Sequence, residues 1–265
     1  MNSWIESSLC QFGSSGLMAN FEKLSKRSMF TQAKTAPRWS ILLYPAYLHI
    51  ADSVRSNRVL FQFLFGFRPL PASCFLGQYW DWTTLALKRV LDRQFRPGMT
   101  LLDMGTGPTG VLAIYAARRL RPAAVVAADH VAEVVAAAAL QVESSGCKVR
   151  TVHSNLFGEI PEVFDCIVFN APYLVNDRAR RLGLMGKTID AIRFGGGEDG
   201  CDTISRFLRS LPAHLSVEGW AALGVNHFHL AQANVAATIA RSGLKLIQRL
   251  DMPFLQSSAY VLQRP

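Results

Sequence analysis

From residue 98 to the end of the chain, short β-leaning apolar runs alternate with longer amphipathic ones, and this alternation limits the possible folds more than any other feature. Strands are predicted over 100–104, 125–129, 148–153, 165–170, 220–225, 245–250 and 259–263, with helices over 110–120, 131–145, 201–215 and 230–242. Strand–helix repetition of this kind makes a mostly parallel sheet covered on both faces. The last two strands are separated only by a short link containing Gln256-Ser257-Ser258. A parallel crossover needs about a dozen residues or more, so this pair is expected to be antiparallel. The predicted fold is α/β: a Rossmann-like, seven-stranded sheet with an antiparallel last strand, preceded by a small helical part.

The chain has 265 residues, of which 50% are hydrophobic and 18% charged. That length suits one core of roughly 160 to 190 residues plus a smaller appendage, and the composition excludes a disordered chain. Residues 41–67 read as one or two helices ending before Arg68-Pro69, and 83–94 as a helix capped by Thr83 or Asp81. Residues 1–30 are Ser-rich, with weak periodicity, and read as a loosely ordered start. The division expected is a helical, substrate-selecting cap over 1–75 and a core over 76–265. Five cysteines, at 10, 74, 147, 166 and 201, form no C-x-x-C pair, which argues against a disulfide scaffold or structural zinc site. His227-Phe228-His229 alternates along a strand end with no third ligand nearby, so no metal is expected.

Residues 1–98 hold 12 Lys/Arg against 5 Asp/Glu, a balance of +7, while the remainder hold 16 against 14, or +2. No basic run exceeds two residues, so a solvated surface is favoured over an acidic partner such as nucleic acid or ribosome. The first 20 residues lack a basic leader, and the longest apolar-leaning stretch, 39–51, is 13 residues long. A membrane-spanning helix needs about 20. The chain reads as soluble and cytoplasmic.

Between the first strand and its helix lies Asp103-Met104-Gly105-Thr106-Gly107-Pro108-Thr109-Gly110. Glycines at 105, 107 and 110 allow close backbone approach to a ligand and positive φ without strain. Two ligands use such a loop: a dinucleotide, whose pyrophosphate meets the helix N-terminus, and S-adenosylmethionine, which carries no phosphate. Asp103 would repel a pyrophosphate but suits a cationic ligand. Asp129, ending the second strand, can accept ribose hydroxyls in either case. A further strand then delivers Asn170-Ala171-Pro172-Tyr173 to the carboxyl edge of the sheet.

Together these elements resemble the class I S-adenosylmethionine-dependent methyltransferases that carry an N-P-P-Y motif. Gly195-Gly196-Gly197-Glu198-Asp199-Gly200 is similar to the G-x-D-G of the release-factor glutamine N5-methyltransferase family. The resemblance runs from about residue 100 to 265. It implies S-adenosylmethionine as cofactor, held by Asp103, Gly105, Thr106, Gly107, Pro108, Gly110, Asp129, His130, Asn155, Leu156 and Asn170. It also implies a catalytic set of Asn170, Ala171, Pro172 and Tyr173. The Asn170 side-chain oxygen and the carbonyl of Ala171 would accept the two N–H groups of the acceptor, and Tyr173 would stack on its flat face. Tyr79, Trp80 and Trp82 would line the acceptor pocket with Tyr173. Two positions depart from the family pattern. Ala171 replaces the commoner Pro, keeping the carbonyl but losing rigidity, and Asn155 replaces Asp, keeping an acceptor for the adenine amino group without its charge.

The implied reaction is N-methylation of an amide-like or planar amino nitrogen, most like that of protein glutamine. The alternatives are a small-molecule or peptide N-methyltransferase of specialised metabolism, an N6-adenine methyltransferase acting on a flipped base, a non-catalytic module that binds S-adenosylmethionine, and a NAD-dependent oxidoreductase.

Overall fold

A seven-stranded sheet in the order β3-β2-β1-β4-β5-β7-β6 organises the computed structural model, which describes residues 51, 53–71, 78–172, 200–227, 229–252 and 255–265. The strands are β1 (Thr100–Met104), β2 (Ala124–Asp129), β3 (Arg150–His153), β4 (Phe164–Asn170), β5 (Leu215–Asn226), β6 (Lys245–Met252) and β7 (Ser257–Gln263). The helices are α1 (Arg58–Phe65), α2 (Trp82–Gln94), α3 (Val111–Arg119), α4 (Ala132–Ser145), α5 (Asp202–His214) and α6 (Gln232–Arg241). β1 through β5 run parallel, while β7 is antiparallel to both β5 and β6. This is the predicted α/β architecture, including the antiparallel hairpin at its end.

The strand buried on both faces, β4, stands at the middle of the sheet, and Cys166–Phe169 are at most 2% exposed. Such a strand must be apolar throughout rather than alternating. β5 is longer than predicted, starting at Leu215 directly after α5, and Pro212 lies inside that helix. Residues 41–50 of the helical stretch expected over 41–67, and the expected loose start at 1–30, lie outside the described residues. Among the described residues, no helix is long and apolar enough to cross a membrane.

Two hydrophobic clusters flank the sheet. One gathers Leu87, Val90 and Leu91 of α2, Ile114 and Tyr115 of α3, and Phe61, Phe65 and Phe67 from around α1. The three phenylalanines are 0%, 0% and 5% exposed, with Phe61 tilted against Phe65 at 4.9 Å and edge-on to Phe67 at 5.0 Å. α1 therefore shares its core with the sheet.

α2 begins with a capping box. Asp81 accepts from the Thr84 amide at 2.7 Å, and the Thr84 hydroxyl turns back toward the Asp81 amide. The helix then rests Thr83, Leu87 and Leu91 on the sheet. Gly224 of β5 makes this possible, because a Cβ there would lie 2.5 Å from Thr83 Cγ2 and 2.9 Å from Leu87 Cδ1. At the amino edge, Asp165 ties three strands: it accepts from the Thr100 amide and hydroxyl, both at 2.9 Å, and from the Ser216 hydroxyl at 2.9 Å. These bonds, led by that of the Thr100 amide, hold its carboxyl below the usual range.

Candidate functional site

The strand order reverses between β1 and β4: the chain leaves β1 toward β2 and leaves β4 toward β5. Crevices at such a point, on the carboxyl side of the strands, are where open α/β sheets bind ligands. The glycine loop and Asn170 meet there because Met104 pairs with Phe169. A Cβ on Gly105 would stand 3.1 Å from the Phe169 ring and 3.8 Å from the Asn170 carbonyl oxygen, and φ here is +64°. Gly107, at φ +67°, faces open space, with nothing within 4 Å of its would-be Cβ. The loop thus packs against β4 at one glycine and presents bare backbone at the next.

Asp103 is 2% exposed. Its Oδ2 accepts from the Thr106 hydroxyl at 2.7 Å and the Ala113 amide at 3.1 Å, binding the loop to the first turn of α3. Burial, and to a lesser degree the nearby charge of Asp129, push its pKa up to about 7 against the pull of these bonds. Asp129 closes the other side. Its Oδ2 accepts from the Gly107 amide at 3.2 Å, its Oδ1 from the Val131 amide at 3.1 Å, and His130 Nδ1 lies 3.4 Å from Oδ1. Both acids therefore hold the loop in shape. Thr106 is buried, its amide bonded to the Ala128 carbonyl at 2.9 Å. The Gly110 amide bonds back to the Gly107 carbonyl at 3.2 Å around Pro108.

After β3, Ser154 braces a tight turn in which Leu156 has a φ of +53°. A non-glycine residue in that region marks a locally strained backbone. Asn155 is exposed and its side-chain oxygen accepts from Arg206 at 3.2 Å.

At the end of β4, the Asn170 side-chain nitrogen donates to both carboxylate oxygens of Asp81, at 3.2 and 3.1 Å. Its Oδ1 is buried with no hydrogen-bond partner among the described residues. Ala171 is 3% exposed and Pro172 follows it half-buried; Tyr173 and residues 195–199 lie outside the described residues. Tyr79 is half-buried, and its carbonyl accepts from the Thr109 hydroxyl at 3.3 Å, joining this segment to the glycine loop. Trp80 is 5% exposed, edge-on to Phe65 at 5.8 Å and to Trp82 at 5.1 Å. Trp82 is half-buried with the Arg55 guanidinium 6.0 Å from its ring centre.

His227 belongs to a different network. Its Nδ1 faces the Leu230 carbonyl at 3.1 Å, and its Nε2 lies 3.0 Å from the Ser258 hydroxyl and 3.2 Å from that of Tyr260. The Ser258 hydroxyl already donates to Asp251 at 2.6 Å, which leaves Tyr260 as the donor to Nε2. Burial lowers the pKa of this imidazole. A cleft of about 610 Å³ lined by Arg118, Arg119, Arg121 and Lys148 lies where β2 begins, at the edge opposite the glycine loop.

The sheet order, the glycine loop at the reversal point and the asparagine ending the fourth strand define a class I methyltransferase fold. Residues 71–190 match the model of the family described as methyltransferase small domain. Two curated relatives place the resemblance more closely. The ribosomal protein uL3 glutamine methyltransferase of Bradyrhizobium diazoefficiens is 34% identical over 122 residues, 45% of this chain and 38% of that protein. The release factor glutamine methyltransferase of Cereibacter sphaeroides is 31% identical over 163 residues, 58% of this chain and 55% of that protein. The matched stretches thus span about half or less of these relatives' length. Among solved structures, the ribosomal protein L11 methylase of Lactobacillus delbrueckii subsp. bulgaricus has the same fold. Its TM-score is 0.56 at 19% identity, covering 74% of this chain and 84% of that one.

The site suits S-adenosylmethionine: bare backbone at Gly107, two acids near the carboxyl ends of adjacent strands, and a buried acceptor at Asn170 without a partner among the described residues. Two of its contributors were not among the site residues expected from the sequence. Asp81 is recognisable there as a helix cap, but its second partner is 89 residues away. Gly224 carries no local signature at all.

Proposed function

We propose that this chain is an S-adenosylmethionine-dependent N-methyltransferase whose acceptor is the side-chain amide of a protein glutamine. The observation that carries this proposal is Asn170. Its side-chain oxygen is buried and unpaired among the described residues, at the sheet edge beside the glycine loop. A buried acceptor left without a partner costs about 1–3 kcal/mol, a cost that an acceptor's N–H would relieve. The glutamine methyltransferase relatives support the choice of acceptor, and the limited stretch they share with this chain makes it a proposal.

The cofactor, when bound, supplies a methyl group activated by its sulfonium. The protein's task is to present a poor nucleophile, since an amide lone pair is delocalised into its carbonyl. Asn170 Oδ1 accepts one N–H of the glutamine amide and the carbonyl of Ala171 accepts the other. This holds the nitrogen in place and favours the pyramidal geometry in which the lone pair is available. Transfer to a nitrogen held this way would form an N–C bond as the S–C bond breaks with its electron pair left on sulfur, and the nitrogen would then release one proton to solvent. Positioning and fixed dipoles, rather than a strong base, supply the rate. Residues 1–75 select the acceptor, and the protein acts in the cytoplasm.

The test is transfer from methyl-labelled S-adenosylmethionine to purified uL3 and release factors of the host, with the modified residue located by mass spectrometry. One extra methyl on a glutamine side chain is the expected result. Label confined to nucleic acid or to small molecules of a host lysate would overturn the glutamine assignment.

A further inference from the structure

Asn170 can serve as an acceptor only if its amide is turned the right way round. An asparagine side chain is nearly symmetric in shape, and a half-turn about its last bond exchanges a carbonyl for an NH2. If the NH2 faced the substrate, it would meet the N–H groups of a glutamine amide donor to donor, and the site would repel what it is meant to hold. Something must set the orientation.

The structure assigns this role to Asp81, an inference that rests on the methyl-transfer proposal above. A carboxylate only accepts hydrogen bonds, so the group Asn170 turns toward Asp81 has to be its NH2. Both contacts are with that nitrogen, at 3.2 and 3.1 Å, and Oδ1 is left on the other side without a partner among the described residues. Asp81 is itself fixed: its Oδ1 accepts from the Thr84 amide at 2.7 Å and the Thr84 hydroxyl at 2.8 Å at the start of α2. One side chain therefore caps a helix and orients the amide of a residue that ends a strand. Donation to an anion has a second consequence. It draws amide electron density toward oxygen, making Oδ1 a stronger acceptor for the substrate N–H. Asp81 is a positioning residue, acting on the acceptor through Asn170.

Two substitutions separate this role from helix capping. Ser and Asn both cap helices well, so Asp81→Ser and Asp81→Asn should both keep α2 intact and melt within a few degrees of the wild type. Their effects on the site differ. Asp81→Ser removes the anchor and leaves Asn170 free to turn either way. Asp81→Asn must keep its own oxygen toward the Thr84 amide, so its NH2 points at the Asn170 NH2 and drives the amide to flip. The isosteric variant should therefore be the worse enzyme. With purified uL3 as the acceptor, turnover should fall about 10- to 100-fold in Asp81→Ser and further in Asp81→Asn, with the affinity for S-adenosylhomocysteine changed by less than threefold in both.

The second measurement does not depend on activity. The side-chain NH2 resonances of Asn170, assigned in 15N-labelled protein by their loss in Asn170→Ser, should be shifted downfield by the charged acceptor. In Asp81→Ser they should move to ordinary asparagine positions. Equal turnover in Asp81→Asn and wild type, or unchanged Asn170 resonances in Asp81→Ser, would overturn the assignment. If the wild type labels neither uL3 nor release factor, the functional proposal falls, and the resonances alone then uphold or overturn the role of Asp81.

Discussion

At the scale of single residues, the site depends on which polar atoms are satisfied. Replacing Asn170 with Ala removes the acceptor, so turnover should fall about 100- to 1000-fold, while calorimetry with S-adenosylhomocysteine shows a change of less than threefold. Wild-type speed in this variant would refute the proposed role. Asp103 gives a prediction of a different kind. Its folded pKa of about 7 lies above the 3.8 of an ordinary aspartate, so the folded protein binds this proton more tightly than the unfolded chain does. The sign follows from linkage: this carboxyl carries no penalty below about pH 4, and its destabilisation grows with pH until about 7. Asp103→Asn removes the charge. Its melting temperature relative to the wild type should therefore be higher at pH 8 than at pH 5, which thermal denaturation at both pH values checks. The glycines of this loop and Asp103 were legible in the sequence as one loop because their motif is contiguous. Asp81 was legible only as a cap, because hydrogen bonding between residues 81 and 170 depends on where α2 lies on the sheet.

At the scale of elements, the sheet was legible because β4 must be apolar on both faces and because the link before β7 is too short for a crossover. The start of β5 was missed. Nothing in the local pattern ends α5 at His214 and begins a strand at the next residue, and pairing with β4 decides it through the Phe164–Leu215 register. The seating of α2 depends on Gly224, which is the β5 partner of Asn170. Gly224→Ala would push Thr83 and Leu87 outward and carry Asp81 with them. A loss of about 1–3 kcal/mol is expected from overpacking, together with slower methyl transfer than that loss of stability explains. Urea denaturation and turnover on the same preparation measure the two effects separately.

For the molecule as a whole, the position of α1 bears on where the catalytic core begins. Phe61, Phe65 and Phe67 are almost fully buried in the cluster shared by α2, α3 and the sheet. A chain spanning 76–265 should therefore expose an aromatic-lined gap that a chain spanning 51–265 keeps closed. Three buried phenylalanines contribute on the order of 5 kcal/mol, which for a protein of this size corresponds to a difference of roughly 10 to 20 °C in melting temperature. Equal melting temperatures for the two fragments would place the boundary at residue 75. The sequence showed the aromatic density of 41–67 but not its destination, because an apolar helix face does not specify which surface it will cover.

The contact between Thr83 and Gly224 also bears on how this protein can vary over generations. The two positions are 141 residues apart, yet one methyl group occupies the space that either side chain would fill. Gly224→Ala is unfavourable alone, whereas Thr83→Ser removes the obstructing methyl and keeps a hydroxyl for Ser257. The double variant should recover much of the stability lost by Gly224→Ala, a coupling that a double-mutant cycle would measure. Descendants of this sequence are expected to inherit the two positions as a matched pair.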